Sequence, residues 1–252
     1  MTPAEALLQE LGITEPCEID LEAIAHHVGA RVRFRPLTGC EAHILGCNGH
    51  ALITVKAESS GRRKRFSIAH ELGHWRFHRG QTLVCRVDEY QPREGRSPEK
   101  VADAYAADLL MPRYIFEPMA RQIEKFDFAS IRGLADAFKS SLTATSIRLI
   151  ELDRLRGFVI CHTSRGRKWF ARSPSVSRDW FPREDLDPKS SAFGIQFGGR
   201  PDNATPRKIE AGAWLGRHDA ARFDVREQTI RISRDETLSL VMVDDKRMLV
   251  SE

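Results

Sequence analysis

Residues 66–78 read FSIAHELGHWRFH, and the motif from His70 to His74 decides how the rest of the chain is interpreted. Residues four apart lie on one face of an α-helix, so the imidazoles of His70 and His74 can both reach one ion about 2 Å from each ring nitrogen. Glu71 lies one position round the helix, where its carboxylate can take a proton from a water molecule at the metal without being a ligand. The motif therefore predicts a zinc-binding helix with Glu71 as the general base.

The residues around the motif favour a buried helix. Ile68, Leu72 and Trp75 recur at the spacing of one helical face, and no proline interrupts the run. The alternative is that the two histidines are satisfied by hydrogen bonds while Glu71 lies in solvent.

A third metal ligand must come from another element. His78 follows His70 by eight residues, about 12 Å along a straight helix, so it cannot join the same ion. Ser97 and Pro98 signal the start of a second helix, on which Glu99 and Asp103 lie one turn apart. Glu99 would complete a His/His/Glu set, and Asp103 could accept the free ring N–H of a ligand histidine. Alternatively, Glu99 only balances the helix dipole and Asp103 is solvated.

Two stretches resemble a known family. Residues 63–74 read RKRFSIAHELGH and residues 99–112 read EKVADAYAADLLMP. They resemble the patterns R-x-R-F-[ST]-x-A-H-E-x-G-H and E-x-x-A-N-x-F-A-A-x-L-L-M-P of the ImmA/IrrE zinc metallo-endopeptidases. The resemblance implies that zinc binds to His70, His74 and Glu99 and that Glu71 is catalytic. Asp103 and Tyr105 replace the usual Asn and Phe, and neither departure removes a ligand.

The resemblance also implies a function. Such proteins are intracellular and cleave or inactivate a helix-turn-helix transcriptional repressor, which induces stress or mobile-element genes. A repressor of this kind would therefore be the partner and substrate. The competing hypothesis is a metal-stabilised DNA- or partner-binding regulator without peptidase turnover. Candidates for stabilising the oxyanion of peptide hydrolysis are Tyr105, Tyr114 and His78.

Composition describes an ordinary globular chain. The 252 residues include 39 basic and 35 acidic side chains, which gives a net charge of +4. This charge is too small to indicate a nucleic-acid partner. We expect a cytoplasmic protein, because no signal peptide is visible at the start and no stretch approaches the 18 apolar residues of a membrane span. Five cysteines form no C-x-x-C pair and are expected to be reduced.

The pattern of elements predicts an α+β chain with two domains. Residues 1–156 are expected to form a zincin-like helical catalytic domain with a small sheet, in which Asn48-Gly49 turns a hairpin. Within it, residues 127–156 resemble a helix-turn-helix pair, where Lys139 and Arg148 could contact phosphate, although a structural role is favoured over DNA contact. Residues 157–252 are expected to form a β-rich C-terminal domain of unknown role, with strands at 157–161, 168–171, 208–215, 225–233 and 238–243.

Two charged or polar segments flank the metal motif. The basic run at 62–65 is expected just before the metal helix, either as a solvated loop or as a rim for an acidic substrate. The turn-rich segment at 88–96 is expected to be a mobile loop near the cleft.

Overall fold

The computed structural model describes residues 1–78 and 97–250, so the predicted loop at 88–96 and Cys85 lie outside the described residues. Within these ranges the chain is α+β, with eight α-helices and two sheets of three and five strands, as predicted. None of the described helices combines the length and apolar composition that crossing a bilayer requires.

The chain divides into two compact units. The first comprises residues 1–119 and 133–144, and the second comprises residues 120–132 and the chain from Thr145 onward. The two helices of the predicted helix-turn-helix pair, α6 (Phe128–Ala137) and α7 (Leu142–Glu151), each contribute residues to both units. A domain boundary between residues 156 and 157 stays a prediction.

The first unit places a small sheet beside a helical layer. Its remaining elements are α1 (Pro3–Glu10), α2 (Leu21–His27), β1 (Ala30–Arg35), β2 (Ala42–Cys47), β3 (His50–Lys56), α3 (Gly61–Phe77), α4 (Pro98–Leu110) and all but the last two residues of α5 (Arg113–Arg121). The sheet order is β1-β3-β2, with β1 parallel and β2 antiparallel to β3. Helix α3 packs against α4 and against strands β2 and β3.

Local sequence explains where these elements start and turn. Asn48 and Gly49 have φ angles of 48° and 77°, so the predicted hairpin turn between β2 and β3 is present. Asp20 caps α2 by accepting from the backbone N–H groups of Glu22 and Ala23. Ser97 caps α4 in the same way through the N–H of Lys100.

Helix α3 begins earlier than predicted. Ser60 is its N-cap, so the basic run at 62–65 forms the first turns of the helix rather than a preceding segment. Four cations oppose the helix dipole, and contacts elsewhere in the unit offset that cost. These contacts join Arg62 to Asp136 and the Ser140 carbonyl, Arg63 to Glu41, Lys64 to the Phe34 ring and Arg65 to the Ile19 carbonyl.

The second unit is built on an antiparallel sheet. Its strands are β4 (Gly157–Thr163), β5 (Gly166–Arg172), β6 (Arg207–Glu210), β7 (Asp224–Arg231) and β8 (Glu236–Met242), in the order β5-β4-β8-β7-β6. Helix α8 (Ser191–Phe197) packs on β7 and β8. A core that includes Phe158, Trp180, Trp214 and Val241 lies within this unit.

Two sequence expectations for the second unit are wrong. The strand expected at 208–215 ends at Glu210, because residues Ala211–Ala213 form a 3-10 helix whose alanines are buried in the core. Helix α8 was not expected at all. Ser190 caps it by accepting from the N–H of Phe193.

Candidate metal centre

The candidate metal centre lies where α3 and α4 pack against each other. His70 and His74 are on one face of α3 and are each 1% exposed, whereas the Glu99 side chain on the first turn of α4 is 47% exposed. Glycine occupies position 73 of α3 and faces Ala102 of α4, which allows the two helix backbones to approach closely. The predicted third ligand is therefore brought to the two predicted histidine ligands by the crossing of two helices.

The ligand atoms of these three residues converge. The Nε2 atoms of His70 and His74 are 3.0 Å apart, His70 Nε2 is 3.1 Å from one Glu99 carboxylate oxygen, and His74 Nε2 is 3.5 Å from the other. In a tetrahedral centre with bonds of about 2.0–2.1 Å, ligand atoms lie about 3.3 Å from one another. The three residues therefore fit a divalent metal ion, and they form a group that could hold one.

Electrostatics favour the protonation states that a metal requires. Burial, followed by the neighbouring His70, lowers the pKa of His74 to about 4, so this ring is neutral at pH 7. The hydrogen bond to His70 lowers the pKa of Glu99, so its carboxylate is ionised. A neutral imidazole and an ionised carboxylate are the forms that bind metal.

The outer nitrogen of each histidine also has a partner. His70 Nδ1 is 2.8 Å from Asp103 Oδ1, the contact that spacing on α4 predicted for a supporting carboxylate. His74 Nδ1 is 3.3 Å from His78 Nδ1. Sequence reasoning excluded His78 as a ligand but missed this contact, for which the spacing of four residues between His74 and His78 was the available signal.

Glu71 lies inside the protein. Its side chain is 0% exposed, which rules out the alternative in which this carboxylate is solvated. It follows His70 directly on α3, and Leu72 beside it is buried as the helical pattern predicted. Glu71 is thus next to a candidate ligand in the sequence but is not in the group of residues that could hold a metal ion, and its role as general base stays a prediction.

The three candidates for stabilising an oxyanion have different surroundings. The Tyr105 ring packs against Phe77, and burial raises the pKa of its hydroxyl, so that group keeps its proton at neutral pH. The Tyr114 hydroxyl donates to the carbonyl of Ile13 at 2.6 Å. His78 contacts the Nδ1 side of His74, opposite the Nε2 atom that faces the other ligands.

An edge of the small sheet is held against the metal helix. A Cβ atom on Gly46 of β2 would lie 2.9 Å from a ring carbon of Trp75, so only glycine allows this approach. The Trp75 indole N–H in turn donates to the carbonyl of Val28 at 2.9 Å. Strand β2 pairs with β3 on one side, and within residues 1–78 and 97–250 it is the last strand of the sheet on the other side. Leu45 on this strand is exposed.

Residues 25–149 match the family of IrrE N-terminal-like domains, a peptidase family. This domain of the chain belongs to the ImmA/IrrE family. The candidate ligands, Glu71 and Asp103 all lie within the matched stretch, so membership indicates a metallopeptidase-type domain. Residues 1–24 and those from 150 onward lie outside the match.

Similarity of fold extends further than similarity of sequence. A solved structure titled "Mycobacterium tuberculosis transcriptional regulator" aligns with a TM-score of 0.61 and covers 95% of this chain and 86% of that chain, at 14% identity. At that identity the likeness shows the fold alone. No curated protein matches the sequence significantly.

Proposed function

We propose that this protein is a cytoplasmic zinc-dependent endopeptidase that inactivates a helix-turn-helix transcriptional repressor by cleaving it. The observation that carries the proposal is the convergence of the Nε2 atoms of His70 and His74 with the carboxylate of Glu99, together with the burial of Glu71, which follows His70 on α3. Family membership supports peptidase chemistry. The choice of a repressor as substrate rests on the resemblance to the ImmA/IrrE proteins.

The chain's own residues have distinct roles in this reaction. His70, His74 and Glu99 would hold zinc, which polarises a peptide carbonyl and brings the pKa of a bound water near 7. Glu71 takes one proton from the attacking water as its oxygen bonds to the carbonyl carbon. As the carbon–nitrogen bond breaks, Glu71 passes that proton to the leaving amine. The second proton of the water stays on the new carboxyl group and then ionises to the amine, so the products at neutral pH are one carboxylate and one ammonium group.

Strand β2 is the surface on which we place the substrate. Among the described residues, no strand pairs with the outer side of β2, so its backbone N–H and C=O groups can pair with an extended peptide. Helices satisfy these groups internally, so the cleaved segment of the repressor has to be a loop, a linker or a locally unfolded stretch. Strand β2 contacts Trp75 through Gly46, and this contact fixes the strand relative to helix α3, which carries His70 and His74.

Substituting Glu71→Gln tests the proposal, because glutamine keeps the shape of the side chain and cannot take a proton. The variant should retain one zinc per chain and lose about 10²–10⁴-fold in cleavage rate. Cleavage is measured as new termini, by mass spectrometry, on purified helix-turn-helix repressors of the same organism and on a proteome-derived peptide library. Glu58→Gln, at an exposed site before α3, is the matched control and should keep the wild-type rate.

The competing regulator without turnover makes the opposite prediction. If Glu71→Gln relieves repression as well as the wild type does, with no new termini in the repressor, the peptidase proposal is wrong. The metal site itself is tested by His70→Ala, which should lose stoichiometric zinc. Retention of tightly bound zinc by that variant would contradict the ligand set.

A further inference from the structure

The end of helix α3 places a third histidine against one of the two candidate histidine ligands. His78 is the C-cap residue, with a φ of −129° and a ψ of 36°, and its backbone N–H donates to the carbonyl of His74 at 2.8 Å. Its ring lies 5.3 Å from the ring of His74, centroid to centroid. The Nδ1 atoms of the two rings are 3.3 Å apart, which is hydrogen-bond distance for a pair in which one nitrogen carries a proton.

We propose that His78 is a positioning residue: it accepts a hydrogen bond from the Nδ1–H of His74 and so orients the ring whose Nε2 faces the metal. This inference rests on the proposed function, because it assumes that His74 is a zinc ligand. His78 is not itself a ligand, since its position one turn beyond His74 takes it away from His70 and Glu99 along the helix axis.

The tautomers of the two rings follow from the chemistry of a neutral imidazole. Such a ring has one N–H and one lone pair. When the lone pair of His74 Nε2 faces a metal, the proton of that ring must be on Nδ1, where it points at His78. His78 then accepts through its own Nδ1 and carries its proton on Nε2. If His78 donated instead, the proton of His74 would be on Nε2 and would block the metal-facing lone pair.

The two ligand histidines are therefore supported unequally. His70 donates towards the Asp103 carboxylate at 2.8 Å, whereas His74 donates towards a neutral ring at 3.3 Å. A charged acceptor gives a shorter and stronger hydrogen bond than a neutral one. Because supporting hydrogen bonds of this kind affect metal affinity by about 10–100-fold, we expect removal of the His78 acceptor to be measurable.

Zinc affinity of two His78 variants tests the proposal. His78→Phe keeps an aromatic ring but removes the acceptor, whereas His78→Asn places an amide oxygen close to the former position of Nδ1. His78→Phe should raise the zinc Kd by about 10–100-fold, and His78→Asn should stay within about threefold of the wild type. The Kd is measured by competition with a chromophoric chelator, and the visible spectrum of the Co²⁺-loaded full-length protein reports the ligand geometry. His50→Phe, at the exposed first residue of β3, is the control.

The outcomes separate this inference from the proposed function. A wild-type Kd and a wild-type Co²⁺ spectrum in His78→Phe would overturn the role of His78 while leaving the peptidase proposal intact. Equal loss of zinc in His78→Phe and His78→Asn would also overturn it, because the amide acceptor would then have rescued nothing. His78→Ala replaces His78→Phe if circular dichroism shows that the larger side chain prevents folding. The peptidase proposal itself is tested by the cleavage assay on Glu71→Gln.

Discussion

Gly73 of α3 lies directly against Ala102 of α4. A Cβ atom on Gly73 would come 2.8 Å from Ala102 Cα, 3.0 Å from its carbonyl oxygen and 3.2 Å from its Cβ. Backbone atoms line this contact, so a side chain here could be accommodated only by separating the two helices. The close crossing is what brings Glu99, one turn before Ala102, within reach of His70 and His74.

Gly73→Ala should therefore weaken metal binding although it removes no ligand. We expect the zinc Kd to rise at least about tenfold, because separation of the helices carries the Glu99 carboxylate away from the two rings. The free energy of unfolding should fall by about 1–3 kcal/mol from overpacking. Zinc competition and thermal unfolding of the apo protein measure the two effects.

Gly61→Ala is the matched control for this substitution. Gly61 is on the same helix, and a Cβ atom there meets nothing within 4 Å. Alanine is the better helix former by about 1 kcal/mol, so this variant should be neutral or more stable and should bind zinc normally. If both glycine variants bind zinc as the wild type does, close crossing at Gly73 is not what assembles the site.

Asp103 should contribute to zinc affinity through His70. Asp103→Ala removes the acceptor 2.8 Å from His70 Nδ1 and should raise the zinc Kd by about 10–100-fold. Asp103→Asn keeps an oxygen acceptor but loses the negative charge, so its effect should be smaller. Metal titration of both variants, with a check of cleavage rates, measures the difference. Wild-type affinity in Asp103→Ala would mean that His70 is held by packing alone.

The His70/His74/Glu99 group that could hold a metal ion was predictable because each half of it depends on local helical spacing. His70 and His74 are one turn apart on α3, and the Ser97-Pro98 start signal places Glu99 on the first turn of α4. The distance between the two helices could not be predicted from local spacing. That distance depends on what Gly73 meets on a segment about 30 residues later in the chain.

Predictions from local sequence were less successful where contacts between residues far apart in the chain determine the structure. The basic start of α3 opposes the helix dipole, but Arg62 is held by Asp136 and the carbonyl of Ser140, more than 70 residues away. Arg148 is a different case: it is buried and 3.9 Å from Glu151 on the same helix, which agrees with the structural role that was favoured over phosphate contact. The segment around Trp214 was expected to be a strand, but a short apolar run is equally compatible with strand and helix. The 3-10 helix that forms there depends on the core into which its residues pack, which local sequence does not reveal.

Glu227 should be a major stabilising residue of the second unit. It is 0% exposed on β7, where one carboxylate oxygen accepts from Ser191 and Arg207 and the other accepts from the Trp214 indole N–H at 2.6 Å. Glu227→Gln turns one acceptor into a donor that faces other donors and leaves Arg207 without its charge partner. We expect it to lower the free energy of unfolding by about 2–4 kcal/mol.

Urea unfolding followed by tryptophan fluorescence measures this loss, because Trp169, Trp180 and Trp214 belong to the second unit. Glu210→Gln is the control, since its contact with Lys189 at 3.9 Å joins two solvent-accessible side chains and should contribute less than about 1 kcal/mol. Equal stability of the two variants would show that the Glu227 contacts contribute little.

His162 should make the chain less stable in mild acid. It is 1% exposed on β4, and burial, followed by the positive charge of Arg167, lowers its pKa to about 4. In the unfolded chain the pKa returns to about 6.5, so below that pH the unfolded state binds more protons than the folded state. The stabilisation is thus fully present above pH 6.5 and is lost as the pH falls towards 4. Between pH 7 and pH 5 the loss is about 2 kcal/mol.

Comparison with His162→Gln isolates this contribution, because glutamine is polar but does not titrate. The free energy of unfolding should fall by about 2 kcal/mol more in the wild type than in the variant when the pH is lowered from 7 to 5. Other groups that titrate in this range affect both proteins equally and cancel in the difference. His218→Gln, at an exposed site in the same unit, should follow the wild type. An identical pH dependence of wild type and His162→Gln would mean that the buried ring accepts its proton without unfolding the second unit.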